Sequence, residues 1–125
     1  MFRSIRGAFL ISISVVSLCA CFGNPQNKVL TVDIGSPVYY ENKNGDHFEA
    51  KHGSLSDGTL HFVKVKMPDG QEYTLPQAVS GSGARYTDDK EIVWWEHQGT
   101  VRVDVRDSEG KWKTKYSGLK EVSGK

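Results

Sequence analysis

The residues of this chain that could do chemistry gather in its second half. A Gly/Ser loop over residues 80–83 supplies the hydroxyl of Ser82, and Arg85 and Tyr86 follow it directly. An aromatic strand comes next and ends in a Gly-terminated turn that carries His97. Hydroxyl, guanidinium, phenol and imidazole groups are all hydrogen-bond donors, and the imidazole titrates near neutral pH. From the residues alone, the alternative reading of this segment is a β-hairpin with a long loop and a large core residue.

The same inventory contains no catalytic set. The two cysteines, Cys19 and Cys21, both lie near the start of the chain, so the rest of it has no thiol nucleophile. Adjacent acids such as Asp88 and Asp89 are usually solvated at a loop tip. The histidines have no metal-ligand spacing and are best read as unrelated surface or rim groups: His47, His52, His61 and His97. We therefore expect no metal, no cofactor and no enzymatic activity, but a binding role.

The first twenty residues predict a lipoprotein signal peptide. Arg3 and Arg6 precede an apolar stretch that is short for a membrane span, and Leu18 and Ala20 precede Cys21 as in a lipobox. We expect cleavage before Cys21, acylation of that cysteine and a tether over residues 21–28. The alternative is an ordinary secretory signal with incidental cysteines. Since Phe22 rather than Asp follows the cysteine, the outer membrane, facing the periplasm, is the expected location.

The charge of the mature chain excludes some partners. The full chain has 16 Lys+Arg against 15 Asp+Glu, and loss of Arg3 and Arg6 leaves 14 against 15, a net charge of −1. No large field of one sign is then present to collect nucleic acid. The mature domain also has no possible internal disulfide, so its fold depends on packing. We expect a monomer that reaches the membrane through its lipid anchor alone.

Period-two alternation predicts an all-β domain over residues 29–125. Short strands alternate with turn signals such as Asn44-Gly45, and no stretch has a sustained helical period. A change of apolar phase between residues 60 and 67 predicts a β-bulge there. Trp94 and Trp95 should lie on opposite faces, and Trp112, Thr114 and Tyr116 on one. Closure removes exposed edges, so we predict a small antiparallel β-barrel of seven to eight strands.

Pro76 and the lysines near the C-terminus give two further expectations. A proline cannot donate to a strand ladder, so Pro76 should end its ladder or mark an edge. Lys111, Lys113 and Lys115 should form a solvated face that protects an edge.

The central segment resembles the bacterial membrane-bound and periplasmic inhibitors of c-type lysozyme (MliC/PliC type). The likeness rests on Ser82-Gly83-Ala84-Arg85-Tyr86, followed by Trp95 and Gly99, and on Met67-Pro68-Asp69-Gly70 with Tyr73-Thr74-Leu75 upstream. It extends from about Val38 to Val105. The resemblance implies an eight-stranded barrel that plugs the active-site cleft of lysozyme. It also implies that Ser82 inserts, Gly83 allows the turn, Tyr86 anchors the loop and Arg85 contacts the rim.

Two departures from the family pattern bear on the site. The family has Lys before the Gly of the Trp turn, whereas this chain has Glu96-His97-Gln98-Gly99, so His97 is the expected cation and inhibition should weaken as pH rises through neutrality. The family also often has a disulfide between the first strand and the C-terminus. Tyr40 occupies the first of those positions. A structural or adhesive envelope lipoprotein is the alternative function.

Overall fold

The computed structural model describes residues 28–124. The predicted signal peptide, Cys21 and the tether up to residue 27 lie outside the described residues. None of the described residues belongs to a helix with the length and hydropathy that a membrane crossing needs.

The described chain folds into nine strands and no helix. Alternating apolar side chains and Gly-containing turns account for most of them, as the sequence predicts. The strands are β1 (Val32–Ile34), β2 (Val38–Glu41), β3 (His47–Leu55), β4 (His61–Lys66), β5 (Glu72–Ala78), β6 (Ala84–Thr87), β7 (Ile92–His97), β8 (Thr100–Arg106) and β9 (Trp112–Val122).

Eight of these strands close into an antiparallel barrel, which confirms the predicted fold class. The ring runs β3-β2-β9-β8-β7-β6-β5-β4, and the pairing of β4 with β3 closes it. Strands β1 and β2 pair with the same edge of β3. The first half of β3 pairs with β2, and its last residues pair with the short strand β1. The break between them falls at Gly35-Ser36-Pro37.

The barrel interior is filled by one apolar cluster. Trp94 is fully buried, and its ring meets the rings of Tyr40 and Phe48 at centroid distances of 5.5 and 6.2 Å. The rest of the cluster comes from the seven strands β3 to β9 and from the residue after β4: Ala50, Val63, Val65, Met67, Leu75, Tyr86, Ile92, Val101, Val103 and Leu119. Trp95 lies on the opposite face of β7 and is half-buried, so the predicted division between the two tryptophans is confirmed.

The connections divide between the two ends of the barrel. We call one end the loop rim, where residues 56–60, 79–83 and 98–99 connect the strands. The other end is the far rim, formed by residues 42–46, 67–71, 88–91 and 107–111. The predicted Asn44-Gly45 turn lies at the far rim, with Gly45 at φ 81° and the Asn42 side-chain oxygen accepting from the backbone N–H of Asp46 at 2.9 Å.

The predicted β-bulge in the strand after residue 59 is wrong. Residues 61–66 pair with β3 in unbroken register, and residues 62–66 do the same with β5. Phe62 is buried on the outer surface of the barrel and not in the main cluster. Its ring packs over Gly53, which has no side chain to block it. The apolar phase change therefore reflects a strand with apolar contacts on both faces.

The bulges lie in β9 instead. Val101 pairs with Leu119, Val103 with Tyr116 and Asp104 with Thr114, so β9 gains one residue over β8 at each of two steps. An extra residue turns the following side chains to the other face. The prediction that Trp112, Thr114 and Tyr116 share a face is therefore wrong.

The two ends of β9 show the effect of the bulges. Tyr116 packs inward against Phe48, at a centroid distance of 4.9 Å. Trp112 is exposed and lies under the Arg106 guanidinium at 4.6 Å. Lys111, Lys113 and Lys115 are exposed, as expected. The part of β9 that carries Lys113 and Lys115 pairs with β8 on one side, whereas the pairing with β2 covers only residues 120–122.

Pro76 lies inside β5 rather than at its end. The ladder between β4 and β5 does stop there, at the pair Phe62 and Pro76, which confirms the expectation for that ladder. The strand continues to Ala78 because Gln77 and Ala78 pair with β6 on the other side.

Candidate functional site

The loop between β5 and β6 and the turn between β7 and β8 lie side by side at the loop rim. Strands β6 and β7 are neighbours, with Ala84 opposite Glu96, so the residue that leaves the loop faces the residue that enters the turn. Sequence reasoning predicted both features as separate elements, and the pairing of β6 with β7 brings them together.

The β7–β8 turn is a tight two-residue hairpin. His97 and Thr100 pair with each other, and the two residues between them, Gln98 and Gly99, have φ of 49° and 76°. Positive φ at both central positions is typical of a type I′ turn, whose twist matches that of the flanking strands. The Thr100 hydroxyl donates to the His97 carbonyl at 3.1 Å. The turn thus holds the His97 backbone at the rim while its side chain stays exposed.

The Ser82–Gly83 backbone is fixed onto the end of β7. Gly83 has φ of 65°, and a Cβ there would collide with the Glu96 carbonyl oxygen. The Ser82 carbonyl accepts hydrogen bonds from the Trp95 indole at 3.1 Å and from the Ser80 hydroxyl at 2.5 Å. The loop is therefore held by close contact and by its backbone, which leaves the Ser82 side chain exposed.

The structure brings Ser82 and His97 to one groove. A groove of about 410 Å³ at the loop rim is lined by both residues, with Trp95 and Arg102 forming part of its wall. The Arg102 guanidinium stacks over the Trp95 ring at 4.7 Å. Among the described residues the Ser82 hydroxyl has no hydrogen-bond partner within the protein. The groove therefore offers a hydroxyl and an imidazole to a partner, while the Arg102 guanidinium in its wall is paired with the Asp104 carboxylate at 3.2 Å.

Tyr86 does not share this exposed surface. It is 7% exposed, belongs to the core cluster and meets the His52 ring edge-on at 5.8 Å. Burial raises the pKa of its phenol, so the group stays neutral across the physiological range. Tyr86 therefore lies where it can support the loop from beneath. Little of its surface is left for direct contact with a partner.

Arg85 points away from the groove. It is half-buried, and its guanidinium lies 3.7 Å from the Asp89 carboxylate, in the segment after β6 that belongs to the far rim. Arg85 and Ser82 thus approach opposite ends of a short strand. The cation that the structure does place beside the groove is Arg102, which sequence reasoning missed.

The sequence that forms the loop and the turn matches a known protein family. The family model for the membrane-bound lysozyme inhibitor of c-type lysozyme (MliC) matches residues 40–112. The chain belongs to this inhibitor family. The matched range contains the loop, the turn and both residues that line the groove from them. No curated protein sequence matches the chain.

A solved structure supports the fold independently. The chain is similar to Pseudomonas aeruginosa MliC, whose crystal structure was determined in complex with hen egg white lysozyme. The TM-score is 0.53 and the sequence identity is 19%, with 74% of this chain and 86% of that chain covered. The structural likeness supports the fold over a larger part of the chain than the family match covers.

Tyr40, which by the resemblance was expected to replace a family cysteine, packs into the barrel core. Tyr40 lies on β2 with Glu121 of β9 as its register partner, and its ring packs against Trp94. Burial, together with the nearby carboxylates of Glu96 and Glu121, raises the pKa of Tyr40 to about 12. An aromatic contact thus occupies the place where a disulfide was expected for the family.

Sequence reasoning missed the pair formed by His52 and Glu96. The His52 ring lies at the rim, as expected, but its Nε2 is 2.5 Å from a carboxylate oxygen of Glu96. The Trp94 indole donates to the same oxygen at 3.0 Å. The hydrogen bond to Glu96 raises the pKa of His52, although partial burial acts against it. Strand alternation offered a signal, since His52 follows Phe48 and Ala50 on the inward face of β3, and Glu96 follows Trp94 on that of β7.

Proposed function

We propose that the chain inhibits c-type lysozyme by placing the loop around Ser82 and the turn after His97 in the active-site cleft of the enzyme. Family membership over residues 40–112 carries the inhibitory function. The groove shared by Ser82 and His97 supports the choice of this rim as the contact. The proposal gives the chain a binding role with no reaction of its own.

The chemistry of lysozyme suits these two side chains. The enzyme cleaves glycosides with two carboxyl groups, one protonated and one ionised. The Ser82 hydroxyl can donate to one of them and accept from the other, since a hydroxyl has both capacities. A protonated His97 adds a charge-assisted bond to the ionised carboxylate. The Trp95 indole and Gly83 hold the loop backbone, so little order is lost on binding.

We also propose that Cys21 carries the lipid that holds the inhibitor at the membrane. The family is described as membrane-bound, and the lipobox-like sequence before Cys21 supports acylation there. Several acyl chains give a lasting anchor, at about 0.8 kcal/mol for each buried methylene. The absence of Asp after Cys21 favours the outer membrane, facing the periplasm. Mass spectrometry of the purified chain would detect the acylated cysteine, and an unmodified Cys21 would contradict this part of the proposal.

Lysozyme clearing of a cell-wall suspension tests the inhibitory rim. The purified chain should slow clearing, and Ser82→Ala and His97→Ala should each weaken inhibition by roughly tenfold, the equivalent of one lost hydrogen bond. Ser108→Ala and His47→Ala are matched controls because both residues are exposed at the far rim. These controls should inhibit like the unaltered chain.

Two outcomes would count against the proposal in different ways. If both rim variants inhibit fully, the loop assignment is wrong while the function stands. If the unaltered chain leaves clearing unchanged at a molar excess over lysozyme, the inhibitory function itself fails for this chain.

A further inference from the structure

The pair formed by His52 and Glu96 lies directly beneath the proposed inhibitory rim. Both side chains are partly exposed, 38% for His52 and 24% for Glu96, so the pair lies at the mouth of the barrel and not deep in its core. Its two partners come from β3 and β7, which lie on different sides of the ring. The contact therefore spans the barrel mouth.

Glu96 touches both parts of the rim. Its backbone carbonyl is the group against which Gly83 is packed, and a crevice of about 320 Å³ is lined by Gly83, Glu96 and the turn residues 97–100. The next residue, His97, begins the β7–β8 turn. A shift in Glu96 would therefore move the loop and the turn together.

The Glu96 side chain is itself fixed by two donors on one oxygen. His52 Nε2 lies at 2.5 Å and the Trp94 indole nitrogen at 3.0 Å. Trp94 is fully buried and offers a constant donor, whereas the charge of His52 changes with pH. Of the two groups that hold Glu96, His52 is thus the one that can change under physiological conditions.

We propose that His52 and Glu96 are positioning residues for the inhibitory rim, so that loss of the His52 proton loosens the Ser82–Gly83 loop and weakens binding to lysozyme. This inference rests on the proposed function. It adds to the pH sensitivity expected from His97, which is exposed on the turn, a second contribution from a residue that need not touch the enzyme.

The surroundings of the pair are consistent with this assignment. The titratable groups that face it come from strands β1, β2, β4, β6, β7 and β9: Asp33, Tyr40, His61, Tyr86, His97 and Glu121. The pKa values of Tyr40 and Tyr86 are raised by burial, so both remain neutral below pH 9. Among the histidines of this region, His52 is the one that hydrogen-bonds the Glu96 carboxylate.

The direction of the pH effect on the loop follows from the raised pKa of His52. The hydrogen bond to Glu96 raises the pKa of His52 above its ordinary value, so the folded protein favours the protonated ring. The contribution of the charged pair is then complete below about pH 6.5, the ordinary value for an imidazole, and is lost as pH rises through the higher value of the folded state. The loop should be best held in mildly acidic solution.

The Trp95 indole N–H is a direct probe of the loop because it donates to the Ser82 carbonyl. The NMR signal of this proton, in the purified full chain and assigned with Trp95→Phe, should shift between pH 5.5 and 8.5. The shift should disappear in His52→Gln and persist in His97→Gln. Lysozyme affinity of the unaltered chain and of the control His47→Gln should fall by about threefold or more over that range, and the fall should be smaller in His52→Gln, which keeps only the contribution of His97.

Each result decides between the alternatives. A Trp95 signal that does not titrate in the unaltered chain, or that still titrates in His52→Gln, would overturn the inference. If His52→Gln does not fold, Glu96→Gln keeps an acceptor for Trp94 and should abolish the titration equally. If the chain does not inhibit lysozyme at any pH while the Trp95 signal behaves as expected, the proposed function fails and the positioning role remains.

Discussion

At the scale of single residues, the candidate site depends on backbone contacts as much as on the side chains it displays. Gly83 shows this best, since it adopts a φ of 65° and packs against the Glu96 carbonyl with no room for a Cβ. Gly81 in the same loop has open space around it and no positive φ. Two glycines that look equivalent in the sequence therefore carry different constraints.

Gly83→Ala should destabilise the protein and displace the loop. The left-handed conformation alone costs an alanine roughly 1 kcal/mol, and the collision with the Glu96 carbonyl adds to it. We expect a fall of about 2 to 3 kcal/mol in the free energy of unfolding, measured with urea, and a loss of inhibition. Gly81→Ala is the matched control and should change neither. Equal stability of the two variants would contradict the described packing at Gly83.

Among the strands, β7 has a different role on each of its two faces. Trp94 fills the core on one face and donates to Glu96, while Trp95 on the other face holds the Ser82 carbonyl and stacks with Arg102. A single strand thus connects the barrel core to the inhibitory rim. Its neighbour β6 adds Tyr86 beneath the loop.

Substitution of the two tryptophans should separate stability from inhibition. Trp94→Leu removes a fully buried ring and should lower the free energy of unfolding by about 3 kcal/mol or more. Trp95→Leu removes a half-buried ring, should cost about 1 kcal/mol or less, and should weaken inhibition because the Ser82 carbonyl loses its donor. Urea unfolding and the clearing assay measure the two effects. A Trp95 variant with full inhibition would show that the loop keeps its place without the indole.

For the molecule as a whole, the barrel depends on the pairing of its N-terminal strand, β2, with its C-terminal strand, β9. Strand β2 pairs with β9 through Tyr39 with Val122, Tyr40 with Glu121 and Glu41 with Lys120. No cysteine is present among the described residues, so this closure depends on strand pairing and on the packing of Tyr40 and Leu119. We call the pairing of β2 with β9 the seam. A covalent link across this seam should raise the free energy of unfolding by a measurable amount.

A disulfide across this seam should stabilise the barrel. Directly opposed residues of an antiparallel pair have Cα atoms about 4.5 to 5.5 Å apart, within the range that a disulfide spans. Glu41→Cys with Lys120→Cys should therefore form a bridge and raise the free energy of unfolding by about 2 to 4 kcal/mol. The reduced form of the same variant is the control, and equal stability of the two forms would contradict the register of β2 and β9.

Features that depend on near neighbours in the chain could be predicted from the sequence. Strand alternation and Gly-containing turns predicted the all-β barrel, and the motif from Ser82 to Gly99 indicated the family. Short-range patterns carry this information because turns and strand faces depend on adjacent residues.

Features that depend on pairing between distant strands became visible only in the folded barrel. It moved the bulges to β9, turned Trp112 outward, directed Arg85 towards Asp89 and buried Tyr86. It also joined His52 to Glu96 across 44 positions of the sequence. The register of non-adjacent strands sets such contacts, and a single sequence does not encode register in any local pattern, because one extra residue exchanges the two faces.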